Sequence, residues 1–216
     1  MKTNTFNSQT AKFLATVGEN MPEMSGSLMQ GWINSPKALK HALRGALCPL
    51  EAVAPSYKPK FKTWRTITLG TYQSAQDLSS ALKNNGFEFA KPAAALLKQA
   101  TLAPTETQLP LVNVSVRELG FEEGAILIQV YARALECGLS LVPAEAGPQL
   151  RLQYPDQPDQ AWLCMGMQPL PDTQGFQSVF YLVRVMGYLW LNTEYAHSSY
   201  FSSPDRRWVF AHRSED

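Results

Sequence analysis

The densest group of side chains that could do chemistry lies in a proline-rich segment, residues 142–158, with the sequence VPAEAGPQLRLQYPDQP. Four prolines and one glycine leave this backbone few conformations. Glu145 and Arg151 could meet or jointly bind a polar ligand, because an arginine fork suits a carboxylate or a phosphate. The predicted ligand-binding residues of the segment are Gln149, Arg151, Tyr154 and Gln157.

Two conformations of this segment are open. An extended chain would place Gln149, Arg151 and Gln153 on one face, whereas a helix would bring Glu145 and Gln149 together, with Arg151 near them. A purely structural interpretation also stands, in which the segment is a rigid connection between a helix and a sheet and a Glu145–Arg151 ion pair fixes it.

A second candidate region is an aromatic, weakly charged stretch, residues 190–201. His197 lies in it, and Glu194 could orient this imidazole, so His197 is a candidate general acid or base. Trp190 and Tyr200 are predicted binding residues, because such surfaces suit carbohydrate, nucleobase or protein contacts. The alternatives are an exposed loop histidine and rings that only close one end of a sheet.

The sequence argues against a cofactor or a metal. It contains no G-x-S-x-G, P-loop, G-x-G-x-x-G or H-E-x-x-H motif. Its three cysteines and three histidines have no metal-ligand spacing, and an odd cysteine count predicts reduced cytoplasmic thiols. These residues are Cys48, Cys137, Cys164, His41, His197 and His212.

Composition limits the class of protein. The 216 residues include 45% hydrophobic and 17% charged residues, which is typical of one globular core and not of a disordered chain. A net charge of +1 argues against a protein that holds nucleic acid through its phosphates. The first dozen residues are polar, and the longest apolar passage, residues 179–191, is shorter than the roughly 18 residues of a membrane span. We therefore expect a soluble, cytoplasmic protein with no membrane contact.

Helical signals dominate the first sixty residues. Ser25 can cap a helix that presents Met29 and Ile33, and Ser35-Pro36 is typical of the start of a second helix, over residues 36–47. Residues 48–60 contain three prolines and are predicted to be a linker. The expected domains are thus residues 1–60 and residues 61–216.

Helices and strands alternate in the next hundred residues. The patterns predict strands at 64–69, 111–116 and 140–142, and helices after Ser74, at 92–100 and at 122–137. From Trp162 onward the pattern becomes β, with strands at 162–167, 179–185, 188–191 and 207–212 and a turn at 172–175. The predicted fold class is α+β: a helical N-terminal part, then α/β elements, then a C-terminal antiparallel β-meander.

Several runs resemble a family of small uncharacterised bacterial proteins. They are FKTWRTITLG at 61–70, residues 116–125 around ELGF, residues 143–158, the MxP…DxxG turn at 167–175 and MQGWI at 29–33. The resemblance covers most of the chain and implies a bacterial, cytoplasmic origin, with no known catalytic residue. It also implies a cysteine at position 142, where this chain has Val142.

Three functions fit these observations. The first is a cofactor-independent binding or accessory protein for a polar ligand or a protein partner, with its surface at 145–157 and 190–201. The alternative is a small cofactor-independent hydrolase or transferase, in which Glu145 or His197 is the acid or base, Arg151 holds an anionic group and Tyr154 donates a hydrogen bond. The third is an interaction subunit that buries its aromatic face. All assume that residues 145–157 present their polar groups outward.

Overall fold

The computed structural model describes residues 15, 19, 26–34, 36, 39 and 60–213. The chain divides into two compact units, Met1–Lys40 and His41–Asp216. Helix α1, Gly26–Asn34, belongs to the first unit and exposes Met29 and Ile33. Pro36 and Leu39 are helical, as predicted, but the rest of that helix and the linker at 48–59 lie outside the described residues.

The described part of the second unit combines four helices with a large mixed sheet. The helices are α2 Ala75–Asn84, α3 Lys91–Gln99, α4 Leu127–Glu136 and α5 Ala146–Gln153. The strands are β1 Arg65–Leu69, β2 Glu88–Phe89, β3 Thr107–Ser115, β4 Ala125–Ile126, β5 Leu139–Ser140, β6 Trp162–Met165, β7 Leu170–Pro171, β8 Gln177–Val185, β9 Tyr188–Tyr195, β10 Phe201–Ser202 and β11 Arg207–His212.

Nine strands form one sheet, in the order β1-β3-β11-β6-β8-β9-β2, with β5 paired to β11 and β7 paired to β8. The mixed α+β class is therefore confirmed. The predicted C-terminal meander holds for β6, β8 and β9, which are antiparallel neighbours, but not for β11. Strand β11 lies between β3 and β6 and runs parallel to β6. Four consecutive residues of β11 are buried, which suits a central strand covered on both faces.

Local signals determine how α2 begins and ends. The Ser74 hydroxyl accepts a hydrogen bond from the Asp77 N–H at 3.1 Å and donates to the Asp77 carboxylate at 2.6 Å. This is the predicted cap of an α-helix N-terminus. At the other end Gly86 has a φ of +71°, a conformation that glycine adopts at little cost.

Helix α4 begins later than predicted, at Leu127 instead of near Glu122. The intervening Ala125 and Ile126 form β4, which pairs with β10. The first N–H groups of α4 then donate to carbonyls of the loop before β10, from Leu127 to Tyr200 and from Ile128 to Ser198. Tertiary pairing thus replaces the first helical turn that Glu122 and Glu123 indicated.

The two faces of the large sheet differ in what covers them. Helix α5 packs on one face so closely that a Cβ built on Gly147 would lie 2.9 Å from the Phe180 ring. On the other face, Tyr131 of α4 contacts the rings of Trp208 and Phe210, with centroids 5.7 and 5.9 Å away. Residues paired across strands share a face, so the row Cys164, Tyr181 and Asn192 lies on the same side as Trp208.

Candidate functional site

The proline-rich segment is helical. It forms α5, and Pro148 lies in the first turn, where a missing N–H costs no helical hydrogen bond. The six residues from Ala146 to Arg151 are all buried. The segment therefore packs into the interior, and the outward orientation that all three predicted functions assumed is wrong.

Glu145 is completely buried, and backbone groups of two other segments surround its carboxylate. One oxygen accepts from the Gly70 N–H at 2.7 Å and from the Gln149 amide at 2.9 Å, and the other accepts from the Ala103 N–H at 2.7 Å. Buried carboxylates need such donors to offset the lost water. Glu145 thus joins the end of β1, the chain after α3 and the start of α5.

Two glutamines extend this network along β1. The Gln149 amide donates to the Thr71 hydroxyl at 2.8 Å. The Gln153 side chain bonds both backbone groups of Thr68: its oxygen accepts from the N–H and its nitrogen donates to the carbonyl, each at 2.8 Å. Gln153 therefore bonds the edge of β1 as a neighbouring strand would.

Arg151 is also completely buried, and it does not pair with Glu145. Its guanidinium donates to the Gln157 side-chain oxygen at 2.5 Å and to the Tyr154 carbonyl, and it lies 5.4 Å from the Phe87 ring centre. The pKa of Arg151 is lowered to about 10. Burial is the largest cause, the nearby Tyr154 opposes it, and the charge of Arg184 adds to it. Six positions on a helix correspond to about 240° of rotation, so the two charges point to different sides of α5.

We call Glu145, Gln149, Arg151, Gln153 and Gln157 the polar hub. Gln157 completes it by donating to the Ala161 carbonyl at 2.8 Å. Glu145, Gln149, Arg151 and Gln157 are at most 1% exposed. The nearby Tyr154 is 8% exposed. Any catalytic or ligand-binding role of these residues stays a prediction, and their contacts are those of a structural network.

An open cavity of about 470 Å³ lies where β6, β8 and β9 run side by side. We call it the aromatic cavity. Four of its lining residues are aromatic, namely Trp162, Tyr181, Tyr195 and Tyr200. The others are Pro92, Asp172, Ser178, Asn192, Thr193 and Glu194.

Strand register positions the aromatic wall. Trp162 of β6 pairs with Val183 of β8, and Tyr181 lies two positions from Val183 on the same face. The Trp162 and Tyr181 rings stack with centroids 5.0 Å apart and planes 21° apart. The guanidinium of Arg206 lies 5.6 Å from the centre of the Trp162 ring. The Arg206 guanidinium and the rings of Trp162 and Tyr181 therefore lie next to one another beside the cavity.

Glu194 is the centre of the polar contacts in this cavity. Its carboxylate accepts from the Tyr200 hydroxyl at 2.5 Å and from the Cys164 thiol at 3.2 Å, and it forms an ion pair with Arg206. Burial raises the pKa of the Cys164 thiol although the Arg206 charge opposes this, and burial also raises the pKa of Tyr200. Both groups are thus neutral near pH 7 and act as hydrogen-bond donors to Glu194.

His197 does not join the cavity. It is exposed, and its Nδ1 lies 2.8 Å from the Ser199 hydroxyl. Glu194, which was expected to orient His197, bonds Tyr200 and Arg206 instead. The acid–base role of His197 therefore stays a prediction without a partner carboxylate among the described contacts.

Only one of the predicted site residues, Tyr200, lines the aromatic cavity. Trp190 is half-buried on β9, opposite Val183 and outside the lining. The sequence reasoning missed Trp162 and Tyr181 as site residues. Their alternation with buried residues was visible, but the strand register that brings them together was not.

Comparisons with family models, with curated proteins and with solved structures gave no match. The resemblance to a bacterial family therefore stays a prediction.

Among the described residues, no group of three or more histidine, cysteine or acidic side chains could hold a metal ion. None of the described helices has the length and apolar character needed to span a bilayer.

Proposed function

We propose that this protein is a cofactor-independent binding protein and that a small polar ligand occupies the aromatic cavity. One observation carries the proposal: a cavity of about 470 Å³ combines four aromatic side chains with converging carboxylate, amide and hydroxyl groups. Ligand sites in proteins measure roughly 300–1,000 Å³ and have mostly apolar walls with a few polar groups that fix orientation.

The contacts support binding over catalysis. Glu194 already accepts two hydrogen bonds and an ion pair, so it has little capacity to take a proton from a substrate. The raised pKa of Tyr200 makes its phenolate form rarer at neutral pH, so this residue does not suit the role of a general base. The predicted enzyme would need Glu145, Arg151 and His197 to converge, but the first two are buried in the polar hub and the third is exposed outside the cavity lining.

A protein partner is the second candidate, and exposed apolar side chains favour it. Met186, in the turn between β8 and β9, is 84% exposed, and Tyr188, the first residue of β9, is 64% exposed. Exposed apolar groups of this size are typical of interaction surfaces when they form a patch.

A cytoplasmic location and a bacterial origin also remain proposals, which rest on the cysteine count and on the resemblance.

The test is a thermal-shift screen of the protein against a metabolite library. Trp162→Ala removes the largest ring of the cavity, and Tyr188→Ala is the matched control, because it removes an exposed ring of β9 outside the lining. We expect hits that stabilise the wild type and Tyr188→Ala but not Trp162→Ala. Hits that survive in Trp162→Ala, or a screen without hits, would contradict the proposal.

A further inference from the structure

The chemistry of the aromatic cavity also indicates which ligands it would take. We propose that the aromatic cavity binds an organic cation, specifically an alkylated ammonium group. This inference rests on the proposed function and names the ligand class of the same site.

The aromatic side chains are the first support. Ring faces attract cations through their negative quadrupole, and several rings around one space are the usual recognition site for alkylated ammonium groups. Trp162 is 39% exposed and Tyr195 is 53% exposed, so part of each residue is accessible from solvent, although Tyr181 and Arg206 contact the Trp162 ring. Tyr181 and Tyr200 complete the set.

The charges are the second support. Asp172 and Glu194 line the cavity, and the described lining includes no lysine or arginine. Arg206 neutralises Glu194. Asp172 accepts from the N–H groups of Gln174 and Phe176, at 2.8 and 3.1 Å, but it has no ion-pair partner among the described residues. One carboxylate thus remains to attract a cation, whereas a phosphate or carboxylate ligand would be repelled.

A cation of the protein already occupies this kind of environment. The Arg206 guanidinium lies near the Trp162 ring and pairs with Glu194 beside the same cavity. Aromatic faces and a carboxylate therefore stabilise a guanidinium at the boundary of the site. The cavity offers the same two components again, through Tyr195 and Asp172.

The ammonium group could belong to a free small molecule or to a methylated lysine of another protein, since both present the same methylated cation. We would titrate the full chain by calorimetry with choline, with its uncharged isostere 3,3-dimethyl-1-butanol, and with a short peptide that carries trimethyllysine. We expect a cation to bind about tenfold or more tightly than the isostere. Tighter binding of the peptide than of choline would indicate a protein source, and the reverse would indicate a free metabolite.

Four variants locate the binding. Trp162→Ala removes a ring, and Asp172→Asn removes a charge while its amide oxygen can still accept from the N–H groups of the turn. Each should weaken choline or peptide binding about fivefold or more. Tyr188→Ala and Glu123→Gln change an exposed ring and an exposed carboxylate outside the lining and should leave it unchanged. If Trp162→Ala unfolds, Asp172→Asn still tests the charge.

Equal binding of choline and the isostere, or cation binding that all four variants retain, would overturn the inference. Its failure can be told apart from that of the proposed function. If neither cation binds but an uncharged ligand does and is lost in Trp162→Ala, the ligand class is wrong and the binding site stands. If neither a small molecule nor the trimethyllysine peptide binds, both proposals fail.

Discussion

The polar hub and the aromatic cavity use the same side-chain chemistry in opposite ways. Each region has a glutamate and an arginine, Glu145 with Arg151 in the hub and Glu194 with Arg206 at the cavity. In the hub both side chains are inaccessible and bond backbone or amide groups. At the cavity the two form an ion pair, with side chains 19% and 20% exposed.

Nearby backbone groups explain this difference. Glu145 lies within hydrogen-bond distance of the buried Gly70 N–H and the half-buried Ala103 N–H, and it satisfies both donors. Glu194 lies on β9, and its carboxylate accepts from the side chains of Tyr200 and Cys164 instead of from backbone N–H groups. The residue types therefore predict that a carboxylate will form polar contacts. The hydrogen-bond donors around that carboxylate decide whether the contacts stabilise the fold or leave the side chain accessible to a ligand.

The largest expected effect is a loss of stability in the hub. Glu145→Gln keeps the side-chain shape but replaces one accepting oxygen with an NH2 group, which would face the Gly70 or the Ala103 N–H. We expect a loss of about 3 kcal/mol or more in the free energy of unfolding, measured by urea denaturation. Glu123→Gln, at an exposed position, is the control and should change stability by less than about 0.5 kcal/mol. Similar stabilities of the two variants would show that the hub is not a structural network.

The second effect tests how tightly α5 packs on the sheet. Gly147→Ala places a methyl group 2.9 Å from the Phe180 ring, so that the helix or the ring must shift. We expect a loss of about 1–3 kcal/mol in urea unfolding. Gly26→Ala is the control, because its Cβ would meet no atom of the described residues within 4 Å. A Gly147→Ala protein as stable as the wild type would mean that the contact between hub and sheet is loose.

The third prediction is a variant of the aromatic cavity that loses ligand binding but little stability. Trp162→Ala removes a partly exposed ring that stacks on Tyr181, so we expect only about 1 kcal/mol of lost stability in urea unfolding. Binding of the cavity ligand should nevertheless be lost. A large loss of stability without a specific loss of binding would place Trp162 with the structural residues of the hub and remove the contrast.

The smallest effect concerns the thiol of Cys164, which donates to the cavity residue Glu194. Burial raises the pKa of Cys164, so its reactive thiolate forms at higher pH than that of an ordinary cysteine. Iodoacetamide at pH 7.5 should therefore label Cys137, which is only half-buried, much faster than Cys164 in the folded protein. Mass spectrometry of the labelled peptides measures both rates, and urea should remove the difference. Equal labelling in the native state would mean that the reagent reaches the buried Cys164 thiol.

The sequence by itself determined the elements whose signals are local. Hydrophobic periodicity predicted β11 with its observed ends, the Ser74 cap predicted the start of α2, and the turn at 172–175 was correct. Each depends on residues within a few positions of one another, so short-range sterics and hydrogen bonds are sufficient. The sequence also indicated that residues 142–158 are the densest polar cluster.

Only the tertiary structure decided where that cluster points and which residues share a cavity. Glu145 bonds groups that are 75 and 42 positions away in the chain, and no local pattern shows that these N–H groups are within reach. Trp162 and Tyr181 meet through strand register. Strand β11 lies between β3 and β6, which are far from it in the sequence. Such contacts depend on the packing of the whole sheet. This packing sets the distances between residues that are far apart in the sequence, which local sequence patterns do not determine.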